Sequence, residues 1–362
     1  MLPKSIFINI SETASFIGQN KWDVITPFER LWKKYDPIQY KVCVSELENR
    51  INQKKLEINV IEKEKEIFKE QLQTKQITKK IYDTAIKSIE TKKSIVEKVL
   101  QTIKKQVDSI TLSQSQKIDK ELGSVISDTI SSTTKNTKDK QKITKEAINN
   151  LQVDESTKVE LLKQTESLIN KTHGTLKEDS AITIFEEKYK VKLDVSQAYY
   201  KHLVTTYQEC NWFVGGKMDG IYLDGNNSYV VEVKNRMKGF FSSLRDYELV
   251  QIQLYLLLTD FKNAKLVERY NSKIRVTDIE KDAEMISEVL EYLKIFIVAF
   301  SKFIADFDMK VKYIQMGEQD KTKFLNELYL KDIFNARKVN NQKKIIEAQA
   351  DQDCLLDDLD EF

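Results

Sequence analysis

From position 47 onward, apolar residues return at steps of three, four and seven. Leu47, Ile51, Ile58, Ile61, Phe68 and Leu72 form one series. Ile89, Val96, Ile103 and Ile110 form a second, each one heptad from the last, with Leu100 and Val107 beside them. That spacing puts each series on one face of a helix. Between Pro37 and His173 the only glycine is Gly123 and no further proline occurs, so almost nothing breaks a helix there. The pattern predicts two long amphipathic helices with a break within 73–84. A polar stretch over 124–142, rich in Ser, Thr and Lys, reads as a loop or frayed helix, and helical spacing returns over 143–169. Residues 43–168 are therefore expected to form a coiled-coil-like helical insert, a solvated spacer or an interaction arm.

After His173 glycines, aromatics and β-branched runs appear, the texture of a compact mixed domain. Residues 178–189 read as a helix. Residues 212–223 and 229–233 read as two strands joined by Asp224-Gly225-Asn226-Asn227, residue types suited to a tight hairpin turn. A helix follows over 247–259, two more strands over 265–270 and 273–277, and a long helix over 279–307. The organisation expected is an N-terminal part of the core (1–42), the insert (43–168), the catalytic core (169–310), and a C-terminal helical region with an acidic tail (311–362).

Composition changes this picture little. The 362 residues include 58 basic and 56 acidic ones, a formal charge of only +2, so any nucleic-acid footprint must arise by local clustering. Cys43, Cys210 and Cys354 are distant and odd in number, which argues against a disulfide framework, a four-thiolate metal site or an iron–sulfur cluster. No run of about 20 apolar residues occurs, and the first residues lack the layout of a secretion signal. A soluble intracellular protein, cytoplasmic or nuclear, is expected, with no membrane partner. The bias toward Lys, Ile and Asn fits an AT-rich genome, such as that of a phage or a large DNA virus replicating in a viral factory.

The chemistry concentrates in GGKMDGIYLDGNNSYVVEVKNR, residues 215–236. Asp219 stands on the first expected strand and Glu232-Val233-Lys234 on the second. Strand alternation puts Glu232 and Lys234 on one face and Val231 and Val233 on the other. Glu and Lys also decorate the solvent face of edge strands. The apolar VVEV run instead suggests a buried strand, where charges must be paired or coordinated. Carboxylates such as Asp219 and Glu232 are oxygen ligands for Mg²⁺ (with Mn²⁺ as a substitute), which phosphodiester hydrolysis uses to activate water and neutralise the leaving oxygen. Lys234 would then stand where it could hydrogen-bond the water or the pentavalent phosphate.

An Asp on one strand before a Glu-x-Lys on the next resembles the PD-(D/E)xK nuclease superfamily. Two further segments narrow the likeness to its lambda-exonuclease and YqaJ-type viral recombinase group. Gln251 and Tyr255 lie four apart in VQIQLYLLLT, similar to that group's Q-x-Q-x-x-x-x-x-T helix. His173-Gly174-Thr175-x-x-Glu178-x-x-Ala181 is similar to its G-x-x-x-E-x-x-A helix. The resemblance implies an α/β restriction-endonuclease-like core, a mixed central sheet flanked by helices. It also implies that Glu178 and the Val233 carbonyl join Asp219 and Glu232 as metal ligands, and that Gln251 orients the lysine, water or DNA. Taken without the resemblance, Gln251 reads either as a site residue or as an exposed helical glutamine, and Glu178 either as a ligand or as a first-turn acid complementing the helix dipole.

Residues 10–20, ISETASFIGQN, resemble the group's opening helix, with Ser11 as N-cap and Gly18 as C-cap. There Ser11 is either a contact to the terminal phosphate of DNA or a simple capping serine, with Lys21, Arg30, Lys33 and Lys34 as weaker contacts. Lys217, Arg236, Lys238, Arg245 and Tyr255, with Phe240, Phe241 and Tyr247 among them, either line a path for the DNA backbone or belong to an ordinary loop. The long insert departs from the group's pattern and leaves the expected homo-oligomer, a ring around DNA, open. The acidic tail DQDCLLDDLDEF is either inert or a peptide for a sliding clamp or single-strand-binding partner. The function expected is a Mg²⁺-dependent deoxyribonuclease, an exonuclease on linear duplex ends in viral recombination or repair. An endonuclease of the same chemistry, or a non-catalytic DNA-binding or coiled-coil assembly protein on a relict core, are the alternatives.

Overall fold

In a computed structural model, the structure describes residues 3–20, 22–111, 129, 137–151, 155–196, 198–237, 239–342 and 344. The polar stretch expected over 124–142 lies largely outside these residues. Lys21, Lys238 and the acidic tail lie wholly outside them. The chain forms two compact units, one of residues 1–36, 170–306 and 318–362, the other of residues 37–169 and 307–317.

The second unit is helical. Helices α3 (Pro37–Gln73) and α4 (Lys79–Thr111) form a hairpin around the turn at 74–78, inside the break that periodicity predicts. Ile61 meets Ile89 and Val96 between them, with Ile58 and Phe68 packed alongside. Lys65–Glu90 at 2.9 Å and Lys93–Glu62 at 2.8 Å cross the seam and mark its antiparallel register. These pairs are exposed and contribute little. Helix α5 (Thr137–Asn149) and the start of α6 (Glu155–Tyr189) follow. The short helix α9 (Phe307–Ile314) returns from far down the chain to pack against α3.

The first unit is mixed α/β, with two separate mixed sheets where a single central sheet is expected. One has the order β1-β3-β2, with β1 (Ser5–Asn9) parallel to β3 (Cys210–Gly216) and β2 (Tyr200–Tyr207) antiparallel to it. The other has the order β4-β5-β6-β7: β4 (Gly220–Tyr222), β5 (Tyr229–Asn235), β6 (Asn263–Tyr270) and β7 (Lys273–Glu280), with β5 and β6 parallel and the outer pairs antiparallel. The single strand expected over 212–223 is thus two strands in different sheets. Its break falls at residues 217–219, where the Tyr255 hydroxyl donates to the Lys217 carbonyl at 2.8 Å and the ladder stops. The Asp224–Asn227 segment does form the turn from β4 to β5, closed by Ser228 Oγ donating to the Gly225 carbonyl at 2.8 Å, with Gly225 at φ +52°.

Helices cover the sheets. α1 (Ile10–Phe16) follows β1 directly, with Asn9 and not Ser11 at its N-cap; Ser11 is an exposed residue of the first turn. The helix ends at Phe16 with Ile17 as its C-cap, and Gly18 beyond it has φ +70°. α2 (Ile25–Tyr35), α7 (Asp246–Thr259), α8 (Ala283–Ala305) and α10 (Glu318–Leu325) complete the unit, the last running on as helix to residue 342. α8 starts at residue 283, later than the 279 that periodicity suggests, because Ile279 and Glu280 still pair in β7 and Asp282 caps the helix by accepting from the Met285 N–H at 2.8 Å. Phe296, Phe300 and Phe303 of α8 pack with Phe16, Phe28 and Trp212. Large rings of this kind dominate a core energetically. Among the described residues no helix is long and apolar enough to cross a membrane.

Candidate active site

β5 is buried on both faces. Val231 and Val233 join Ala181 and Phe185 of α6, Leu193 and Val267 in one apolar cluster. The opposite face carries Glu232, 2% exposed, and Lys234, turned toward α7. The apolar VVEV run is thus a buried strand, with alternation setting its charges on the face opposite the valines.

Asp219 stands at the bend before β4. Its Oδ2 accepts the Val233 N–H at 2.7 Å, where the β4 backbone would otherwise serve. The break between β3 and β4 therefore frees a carboxylate to face β5. Glu178, near the point where α6 meets the apolar cluster, stands beside Asp219. Lys234 Nζ donates to Glu232 Oε1 at 2.5 Å and to Gln251 Oε1 at 3.2 Å. Gln251 Nε2 donates to the Tyr255 hydroxyl at 3.2 Å, which passes the chain to Lys217. Glu178, Asp219, Glu232, Lys234 and Gln251 are thus brought together from two helices, a bend and a strand.

Three carboxylates near one ammonium hold more negative charge than it balances. Burial, then the neighbouring Asp219, push Glu232 up to about 8. Burial, opposed by Lys234 and reinforced by Glu178, raises Asp219 to about 6. Glu178 is raised by burial and by Glu232. For Lys234 burial acts downward, but Glu232 and Asp219 outweigh it and the ammonium is held above its ordinary range. The cluster therefore retains protons at neutral pH that its members would lose in water.

The donor types are those a hard divalent cation takes, although their arrangement here is not that of a metal site. All three side chains offer hard oxygens, and Glu232 Oε2 is buried without a hydrogen-bond donor. Glu232 bonds to Lys234 here, and among the described residues no group of three or more His, Cys, Asp or Glu stands where it could hold a metal ion. Bound metal would take the place of the retained protons.

The residues expected to touch DNA divide. Lys217 and Arg245 are exposed, Arg245 lying over the Phe241 ring at 4.4 Å. Ser11 is exposed on α1, whose first residue Ile10 adjoins Gly216 at the β3 end. Two expected contacts are corrected. Tyr255 is 4% exposed and its hydroxyl is committed to Gln251 and Lys217, so it supports the site from within. Arg236 is buried in an ion cluster: its guanidinium grips Glu248 at 2.7 and 2.9 Å and Glu268 at 2.8 Å. Among the weaker candidates, Arg30 is paired with Glu12.

Glu248 and Glu268 escape a reading by motif. Glu268 carries the same signal as Glu232, a charge in an apolar strand (AKLVERY), and Glu248 precedes Gln251 by one helical turn. Gln253, the second glutamine of the helix, is structural: it donates to the Glu280 carbonyl at 2.7 Å and accepts the Asp282 N–H at 2.8 Å, tying α7 to the β7–α8 connection.

No family model matches the chain. No curated protein matches it either. Among solved structures it is weakly similar to the crystal structure of SSO0001, at 15% identity and TM-score 0.30 over 45% of this chain and 85% of that one. It is also weakly similar to an alkaline exonuclease, LHK-Exo, from Laribacter hongkongensis, at 15% identity and TM-score 0.26 over 57% of this chain and 97% of that one. The complex of LHK-Exo with dAMP gives 14% identity and TM-score 0.25 over 55% and 91%. Similarity of this size establishes neither fold nor activity.

Proposed function

We propose that the chain is a metal-dependent deoxyribonuclease with a restriction-endonuclease-like core, acting as an exonuclease on linear duplex ends in recombination or repair. The observation that carries this reading is the meeting of Glu178, Asp219 and Glu232 beside the ammonium of Lys234, with one buried carboxylate oxygen left without a donor. Glu178, Asp219, Glu232 and the Val233 carbonyl would hold Mg²⁺ or Mn²⁺. A divalent ion there supplies Lewis-acid polarisation of the phosphate and a water of lowered pKa. Lys234 contributes a fixed cation for the charge that develops on phosphorus, and Gln251 holds its Nζ in place. Lys217, Arg245 and Ser11 offer exposed groups to the phosphate backbone, without regard to sequence.

The test is incubation with end-labelled linear duplex and with covalently closed circular duplex, each with and without Mg²⁺. The reading predicts loss of label from the linear duplex only when the metal is present, with the circle intact. Cutting of the circle would make the enzyme an endonuclease of the same chemistry. An unaltered linear duplex in Mg²⁺ and in Mn²⁺ would remove the nuclease reading.

A further inference from the structure

We infer that Glu248, through Arg236, is a positioning residue that sets Gln251 against Lys234; the inference rests on the nuclease reading of the same site. Arg236 follows β5 directly, and its N–H donates to the Arg269 carbonyl at 2.7 Å, so it continues the ladder one step beyond the strand. It lies two residues after Lys234, hence on the same face of the strand. Glu248 lies in the first turn of α7, three residues before Gln251 and on the same helix face. Strand and helix are therefore joined by two rungs, Lys234 to Gln251 and Arg236 to Glu248.

The two rungs differ in stiffness. Lys234 to Gln251 is a single hydrogen bond at 3.2 Å between flexible side chains. Arg236 to Glu248 is a two-pronged contact between planar groups, with Glu248 only 1% exposed. Arg236 is held on its other side as well. Its Nε donates to Glu268, Glu268 also accepts from Arg275 Nε at 2.7 Å, and the Phe241 ring covers the guanidinium at 4.0 Å. The stiff rung is thus anchored to β6 and β7, and the start of α7 is fixed by it. With the start fixed, the next turn delivers Gln251 to Lys234. An arginine expected to bind DNA holds the helix that carries the glutamine.

The test compares full-length Glu248→Gln, Glu248→Asp, Gln251→Ala and the doubles of Gln251→Ala with each. Single-turnover cleavage of end-labelled duplex is measured, together with the side-chain amide resonances of Gln251, assigned by their loss in Gln251→Ala. Displacement of a positioned group costs up to about a hundredfold in rate. Glu248→Gln and Gln251→Ala should each lower the rate about tenfold or more, and the double should be no slower than the slower single. The metal titration midpoint should stay at its wild-type value, and the Gln251 amide signals should move in Glu248→Gln. Glu248→Asp keeps the charge and shortens the reach; it should fold, shift the same signals and show the same non-additivity, which covers a failure of Glu248→Gln to fold. Wild-type cleavage by folded Glu248 variants, multiplying effects in the doubles or unmoved amide signals would overturn the inference. Moved signals in a protein whose wild type cleaves nothing would leave the positioning standing and remove the nuclease reading.

Discussion

Glu232 and Asp219 are the residues whose protonation most directly reports the state of the site. Both are raised in the folded protein, Glu232 from 4.5 to about 8 and Asp219 from 3.8 to about 6. Over those windows the folded chain keeps protons that the unfolded chain has released. The stability these two groups contribute to the metal-free protein is therefore full below their unfolded values and is lost as pH rises toward 8. Glu232→Gln removes the larger part of this. In metal-free buffer the variant should gain in melting temperature relative to wild type as pH rises from 5 to 8.5, while losing cleavage altogether. A melting difference that does not change with pH would mean that Glu232 is ionised throughout. Glu232 and Lys234 are legible in the sequence because a charge inside an apolar strand must be paired or coordinated. Arg236 and Tyr255 are misjudged because nothing local distinguishes an arginine or tyrosine facing solvent from one whose partners lie elsewhere in the chain.

At the level of elements, period reads helices well and strands less well. α4 keeps its apolar residues on one face, and α3 and α4 part at 74–78, within the expected break; α7 spans Asp246–Thr259 but is apolar nearly all round. β1 and β2 are not legible: SIFIN is five residues long and its partner β3 lies about two hundred residues away, so nothing nearby announces a strand. The split of β3 from β4 is also hidden, since it depends on the hydrogen bond from Tyr255 to Lys217 and on the Asp219 carboxylate serving the Val233 N–H. The sheet that feeds this bend is tight. A Cβ on Gly215 would meet the Tyr200 carbonyl oxygen at 2.6 Å, and backbone cannot yield as a side chain does. Gly215→Ala should cost about 1–3 kcal/mol, the scale of overpacking, in urea unfolding. Asp282→Ala should cost about 1 kcal/mol through loss of the α8 cap. A neutral Gly215→Ala would show that β2 moves freely from β3.

At the level of the whole molecule, the chain divides into a helical unit and a mixed unit, while the change of sequence texture at His173 falls inside the continuous helix α6. Nor does the texture mark that residues 307–317 return to the helical unit, because packing across more than two hundred residues leaves no local pattern. Deleting residues 43–168 with a short flexible linker strips α9, whose Tyr313 and Ile314 are buried, of most of the helix it packs against. The truncated protein should keep metal-dependent cleavage, since the candidate site draws only on the mixed unit, but with lower solubility that Ile314→Lys improves. Loss of folded protein in both forms would mean the mixed unit does not stand alone.

The central claim, that carboxylates hold metal while Lys234 acts on the phosphate, separates in one measurement: calorimetric Mg²⁺ titration of Asp219→Asn and Lys234→Ala, with cleavage of the same end-labelled duplex. Asp219→Asn removes a ligand charge, so metal affinity should fall, and excess Mn²⁺ should restore part of the rate. Lys234→Ala should bind metal with affinity at or above wild type, yet turn over about a hundredfold or more slowly, the scale of losing one preorganised charge. Near wild-type cleavage by both variants, or the same loss of metal binding in both, would contradict the account.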